Sequence, residues 1–282
     1  MKKLALIFVC IFFLNGCSVK LAYNFLDFIV KWRIGQYVSL EGKQDDYLDH
    51  AMNEFHRWHR HTQLPLYADY IESVLPTLRS KENITGEWIH AETDKVQELL
   101  DISLNTFLPI AVNLVHTFSH EQTQQVLENL SEKREKFADE YVDISEKKQY
   151  KQRKHDLTDH IGRFFGRFTD EQKALLDDWA KAIRPFEIQS LEQQVIWAQR
   201  VSDAMAVRDD KVQLRARLGN IVLYRTDDWD PKLQATLDYN QDITYVLLAN
   251  LVNSQTDKQR QRMLSKLEDY SEDLRQLAAK AH

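Results

Sequence analysis

The sequence predicts an all-α protein, a multi-helix bundle of long helices joined by short connections. The chain has 282 residues, of which only 7 are Gly and 5 are Pro; average usage would give about 20 and 14. Sheet proteins need many turns and turns rely on Gly and Pro, so this scarcity favours helices. Apolar residues recur at spacings of three and four through almost the whole chain, without a convincing alternating strand pattern. A hydrophobic fraction of 43% is enough to build a core.

The N-terminus has the pattern of an export signal. Two lysines precede an apolar run from Leu4 to Leu14, which is too short to span a bilayer but fits the apolar region of a secretory signal. The run ends at Leu14-Asn15-Gly16-Cys17, which resembles the lipobox of bacterial lipoproteins. In that family the signal is cut before the cysteine, which carries lipid. The resemblance implies a signal peptide over 1–16 and lipid attachment at Cys17; an ordinary signal peptide with a chance cysteine is the alternative.

The residue after the cysteine bears on the destination. It is Ser18 rather than Asp, and resemblance to enterobacterial lipoproteins then implies the periplasmic face of the outer membrane rather than the inner membrane. Each buried CH₂ contributes ~0.8 kcal/mol, so several acyl chains give stable attachment. The partners we expect are the membrane, through this lipid, and a protein in the cell envelope.

Charge and cysteine content exclude some classes of function. Without Lys2 and Lys3 the mature chain has 35 basic and 43 acidic residues, a formal net charge of −8. Nucleic-acid binding relies on positive charge, so we expect no nucleic-acid partner. Cys10 leaves with the signal and Cys17 carries lipid, so we expect neither a disulfide nor a free thiol, and stability from packing alone.

The mature chain divides into a lipidated tether with a first helix, 17–43, and a single α-helical domain, 44–282. The first helix repeats apolar residues at helical spacing, namely Leu21, Phe25, Phe28, Ile29 and Trp32. Such a helix either packs on the bundle or lies on the membrane surface, and the sequence leaves both alternatives open.

Several helix boundaries and faces follow from local patterns. Pro65 is expected to open or kink a helix, Thr85 to cap one, and Asp230-Pro231 to start another. Four residues at helical spacing are predicted to face the core, namely Ile188, Leu191, Val195 and Ala198. A basic run is interpreted as a solvated helix face, or alternatively as a contact with anionic lipid or an acidic partner; it comprises Lys147, Lys148, Lys151, Arg153 and Lys154.

Three segments share the pattern Ser/Thr-x-x-Gln, which predicts capping boxes at helix starts. They are Ser119 with Gln122, Thr169 with Gln172, and Thr256 with Gln259. The pattern resembles the Leu-Thr-x-x-Gln motif of small periplasmic helical stress chaperones, where it also starts helices. The resemblance implies a shared helix start, and it makes a chaperone-like role an alternative function.

Candidate catalytic and metal-ligating residues are few. His50, His56, His59 and His61 are close in sequence, and His56 and His59 have the spacing of two ligands on one helix face. His59 falls in an apolar seam and no His-Glu-x-x-His pattern or cysteine accompanies them, so we favour structural and surface histidines. His155-Asp156 resembles a pair found in metal-dependent phosphohydrolases. Phosphate-loop, Gly-x-Ser-x-Gly and Cys-x-x-Cys patterns are absent from the sequence, and we predict no catalytic residue, metal or cofactor.

Several stretches together resemble an uncharacterised family of proteobacterial lipoproteins. They are the lipobox, Tyr23-Asn24 soon after it, Trp58-His59-Arg60 with Leu64 to Ala68, and Phe168 to Gln172 with Trp179-Ala180. The resemblance implies an envelope location and a helical body, and no particular activity. We therefore expect a non-enzymatic, lipid-anchored envelope protein that binds a protein or an envelope component through a helical groove. The alternatives are a chaperone-like protein that holds unfolded clients and a metal-dependent hydrolase using His56 or His155.

Overall fold

The computed structural model describes residues 19–80, 82–223 and 229–280, and helices account for nearly all of them. The prediction of an all-α multi-helix bundle is confirmed, and the described residues contain no strand. The helices are α1 (Val19–Asn24), α2 (Leu26–Gly35), α3 (Gly42–Ser80), α4 (Gly86–His116), α5 (His120–Phe137), α6 (Glu146–Phe165), α7 (Asp170–Ala182), α8 (Glu187–Ala206), α9 (Lys211–Val222), α10 (Pro231–Asn253) and α11 (Asp257–Ala279), with a π-helical segment, Ala138–Val142, after α5.

The longest helix, α3, organises the bundle. Its 39 residues extend over about 58 Å, and α4 and α11 pack along it. Pro65 lies inside α3, so no new helix opens there. A proline inside a helix costs about 3 kcal/mol, but Leu64 and Ala68 beside it are fully buried against Leu274 and Leu277 of α11. Tertiary packing therefore keeps α3 helical past Pro65.

The remaining helices pack on this framework. Helix α4 packs against α3, α9 and α10, α8 against α5 and α9, and α6 against α7 and α11. Among the described residues, α4 is the one helix long and apolar enough to cross a membrane. Two apolar clusters take residues from opposite ends of α3, one including Leu48 and Met52 and the other including Leu78.

Two predicted helix starts are confirmed. The Thr85 hydroxyl accepts a hydrogen bond from the Trp88 N–H at 3.2 Å, which caps α4. The Asp230 carboxylate accepts from two backbone N–H groups at the start of α10, each at 2.9 Å, with Pro231 at the first helical position. Local side-chain chemistry sets these boundaries because the first N–H groups of a helix have no partner within it.

The predicted buried face of α8 is only partly correct. Ala198 is buried as predicted and Leu191 is half-buried, but Ile188 and Val195 are 62% and 54% exposed, whereas Glu187 and Gln193 are buried. The Glu187 carboxylate accepts from Arg153 of α6 at 3.1 Å and from the Phe186 N–H at 2.9 Å. This ion pair joins the start of α8 to α6 and accounts for the burial of Glu187, which the apolar spacing did not predict.

Candidate functional site

A groove of about 590 Å³ lies between α4 and α9. Its apolar lining comes from both helices and includes Leu108, Pro109, Val112, Val212, Ala216 and Gly219. Val212 is 80% exposed, so a large apolar side chain of the rim is left uncovered by the bundle. A volume of this size lies within the range of ligand pockets, roughly 300–1,000 Å³.

A buried apolar cluster joins the two helices of the groove. Leu214 and Leu218 of α9 pack there with Leu108 and Val112 of α4. A Cβ added at Gly219 would meet Leu108 Cδ2 at 3.5 Å, an ordinary van der Waals distance, so the two helices approach closely at this point.

The rim of the groove is positively charged. Lys211 and Arg215 line it from α9, and none of the lining residues is acidic. The Lys211 ammonium donates to the Asn113 side-chain oxygen of α4 at 2.8 Å, while Arg215 is exposed. An apolar floor beside two bases is suited to an apolar segment that carries carboxylates, because burial and charge pairing then act together.

The six capping residues named from the sequence lie at three helix starts. The hydroxyls of Ser119, Thr169 and Thr256 accept from the backbone N–H of the glutamine three residues on, at 3.1, 3.2 and 3.3 Å. Each glutamine side-chain oxygen in turn accepts from the backbone N–H of its capping residue, at 3.0 Å in all three cases. Each capping box is therefore closed in both directions.

The structure also brings these glutamines together in pairs. Gln172 and Gln259 donate to each other's side-chain oxygens at 3.0 and 2.9 Å. Their other N–H groups donate to backbone carbonyls just before the partner helix, Ser254 at 3.1 Å and Arg167 at 2.9 Å. Every hydrogen-bonding group of the two buried amides is thereby satisfied.

Gln122 forms the same arrangement with Gln44, which the sequence analysis missed. The two amides donate to each other at 2.6 and 2.9 Å, and Gln44 accepts from the Glu41 N–H at 2.9 Å. Gln44 occupies the third position of α3, but Glu41 precedes it where the other copies have Ser or Thr. A pattern defined by the glutamine alone would have found it. These four residues are structural, since they join helix starts to one another.

Two of the four histidines of this segment, His56 and His59, lie in a largely buried cluster, whereas His50 and His61 are exposed. The Tyr23 hydroxyl lies 3.1 Å from His59 Nδ1, and the Tyr67 hydroxyl lies 3.3 Å from His59 Nε2 and 2.8 Å from the Ser103 hydroxyl. Burial, followed by the nearby His56, lowers the pKa of His59 to about 4. A neutral imidazole donates at one nitrogen and accepts at the other, so His59 links α1 to α3, and through Tyr67 to α4.

The other predicted candidates are dispersed. His56 is buried with its Nδ1 3.3 Å from the Asp27 carboxylate, whereas His155 is exposed on α6. Across the described ranges, no group of three His, Cys, Asp or Glu side chains is placed to hold a metal ion. In the basic run, Arg153 pairs with Glu187 and Lys154 with Asp177. Cys17 lies outside the described residues.

The chain matches a known protein family over most of its length. A family model matches residues 36–234, which is 199 of the 282 residues. The chain belongs to DUF6279, a family of unknown function. The DUF6279 match contains both helices of the groove and three of the paired glutamines, but it excludes α1, α2 and α11. The prediction of an uncharacterised family is thus confirmed. No curated protein and no solved structure matches the chain.

Proposed function

We propose that the protein is a lipid-anchored envelope protein that binds a partner protein in the groove between α4 and α9 and catalyses no reaction. The observation that carries the proposal is the groove itself, where an uncovered apolar rim at Val212 adjoins the bases Lys211 and Arg215. The segment that fits is apolar with nearby carboxylates. Such a segment would bury Val212 and pair with Arg215, which faces no carboxylate in the groove lining.

The anchor in this proposal is Cys17, at the periplasmic face of the outer membrane. It rests on the lipobox pattern and on the short distance to the bundle, since α1 begins at Val19, two residues later. Intact mass spectrometry of the protein extracted from membranes tests it. A mature chain that starts at Cys17 and carries acyl groups supports the anchor, and an intact, unmodified leader refutes it.

Photocrosslinking in cells tests the groove. A photoreactive amino acid in place of Val212 is compared with one in place of Val246, which is also exposed but lies on α10 outside the groove lining. We expect one protein to be enriched at position 212 and absent at position 246. Filling the groove by Ala216→Trp should remove that crosslink. The same set of proteins at both positions would contradict the proposal.

Binding to the purified partner then tests the chemistry of the rim. Arg215→Glu should weaken the affinity about tenfold or more, because a favourable pair at the rim becomes a repulsive one. The matched control is Arg200→Glu, a basic residue of α8 that does not line the groove. Equal effects of the two variants would show that overall charge, and not the groove, governs binding.

A second candidate function is the holding of unfolded clients on the face of α8. The observation that favours it is the exposure of Ile188, Val195 and Ile196 on one helix, because exposed apolar patches mark interaction sites. Suppression of the aggregation of an unrelated unfolded protein tests it. Loss of suppression in Val195→Asp with Ile196→Asp, but not in Ala216→Trp, would favour this candidate over the groove.

A further inference from the structure

Residues 19–35, which form α1, α2 and the turn between them, expose three large aromatic side chains. Phe25, Phe28 and Trp32 are 54%, 66% and 55% exposed, and their spacing of three and four residues places them on one side of the helical path. We call these three residues the aromatic stripe. Exposed apolar patches mark interaction sites, so we expect another surface to cover these three side chains.

The opposite side of the same helices is held firmly on the bundle. Tyr23 is buried beside His59, and Asp27 lies 3.3 Å from His56. The Lys31 ammonium contacts Asp45 at 3.4 Å and Asp49 at 2.7 Å on α3. Turning the aromatic stripe inward would break all of these contacts, so its exposure is a fixed property of the fold.

An arginine lies beside the aromatic stripe. Of the four charged residues in 19–35, Lys20 pairs with Asp273, Lys31 with Asp45 and Asp49, and Asp27 with His56. The fourth, Arg33, has its guanidinium 5.8 Å from the centre of the Trp32 ring. Exposed aromatic side chains with an adjacent base are typical of helices that lie in a membrane interface.

The aromatic stripe lies close to Cys17 in the sequence, which favours the bilayer as the surface that covers it. Only Ser18 separates Cys17 from Val19 in the sequence, and two residues of fully extended chain span at most about 7 Å. Phe25 follows six residues after Val19, about 9 Å along a helical path. A chain anchored at Cys17 cannot carry the stripe far from the lipid.

We infer that Phe25, Phe28 and Trp32 insert into the headgroup region of the bilayer that holds the acylated Cys17. The lipid and the stripe then act as two neighbouring attachments, and together they fix the orientation of the bundle on the membrane. The anchor in this inference rests on the proposed function. The membrane contact of the stripe is inferred from the exposure of its three aromatic side chains and from the adjacent Arg33.

The experiment measures the environment of residue 28 in the full-length, membrane-extracted protein. An environment-sensitive fluorescent amino acid replaces Phe28, or Leu66 or Val246, which are exposed on other helices. The protein is reconstituted into vesicles of phosphatidylethanolamine and phosphatidylglycerol in which some lipids carry brominated chains. We expect quenching at position 28 to exceed that at positions 66 and 246 by about threefold, because an interfacial helix inserts by 5–10 Å.

Two further measurements separate the inference from the anchor. Phe25→Ser with Trp32→Ser should abolish the quenching at position 28 and leave the far-UV circular dichroism spectrum unchanged, since both side chains are exposed. Intact mass of the same preparation reports whether Cys17 is acylated. If the protein is acylated but quenching is equal at positions 28, 66 and 246, the aromatic stripe does not insert into the bilayer, while the lipid anchor at Cys17 stands. If the protein is unacylated but position 28 is still quenched, the lipid anchor is contradicted and insertion of the stripe is supported.

Discussion

The side-chain amides of Gln172 and Gln259 hydrogen-bond to each other in both directions, at 3.0 and 2.9 Å. Each also closes the capping box of its own helix and donates to a carbonyl just before the other helix. Two helix starts that are 87 residues apart in sequence are thus joined at one buried point. Gln44 and Gln122 join two other helix starts in the same way.

Removing one amide should cost more than removing a capping residue. Gln172→Ala or Gln259→Ala each leaves the other amide buried and partly unpaired, so each is expected to lower the free energy of unfolding by roughly 2–3 kcal/mol. The double variant should lose less than the sum of the two, because the unpaired partner is then also gone. Urea unfolding of the three variants and the parent chain measures this.

The control for this cycle is Gln276→Ala, since Gln276 is exposed and its amide donates to Glu272 one turn earlier in the same helix. We expect a change within about 0.5 kcal/mol. Strictly additive effects of Gln172→Ala and Gln259→Ala would mean that the two amides do not depend on each other.

The protein is expected to lose stability in acid because of the buried His59. Its pKa is lowered by burial to about 4, against about 6.5 in the unfolded chain, so between these values the unfolded state takes up the proton first. The free energy of unfolding is therefore highest above pH 6.5. It decreases by about 3 kcal/mol as the pH falls to 4, and below pH 4 the protonation of His59 lowers it no further. His59→Gln should flatten this part of the pH profile.

Urea unfolding at several pH values between 4 and 7 measures the slope for both proteins. The comparison concerns the slopes and not the absolute stabilities, because His59→Gln also alters the hydrogen bonds of Tyr23 and Tyr67. Parallel profiles would show that His59 is already accessible to protons in the folded protein.

Helix α8 offers a direct contrast between two apolar positions. Val195 is exposed and Ala198 is buried. Val195→Asp is therefore expected to change the free energy of unfolding by less than about 0.5 kcal/mol, whereas Ala198→Asp buries a carboxylate and should cost several kcal/mol. Chemical denaturation of both variants provides the comparison. A large loss in Val195→Asp would instead favour the rotation that the apolar spacing predicts.

Gly166 ends α6 with a φ of 74°, in the region that side chains other than glycine rarely adopt. Gly166→Ala is expected to destabilise the protein by about 1–2 kcal/mol. Gly35→Ala is the control, since φ is not positive there and nothing lies within 4 Å of the added carbon. Thermal unfolding should show a lower midpoint for Gly166→Ala only. Equal midpoints for the two variants would mean that the positive φ of Gly166 does not require glycine.

Much of the fold could be predicted because its signals are local. Scarce glycine and proline, the three- and four-residue apolar spacing and caps such as Thr85 and Asp230 act within one or two turns of a helix. The prediction at Pro65 was wrong about a new helix because packing by Leu64 and Ala68 depends on α11, about 200 residues away in sequence. The groove was expected only in general terms, since its lining combines two helices that no sequence pattern links.

By itself the sequence determined that the chain is helical and where several of its helices begin. Only the tertiary structure decided which glutamines pair, which way α8 turns, and that a groove opens between α4 and α9. The physical reason is the range of the interactions. A capping hydroxyl and its amide are three residues apart, whereas Gln172 meets Gln259 and Arg153 meets Glu187 only after the helices have packed.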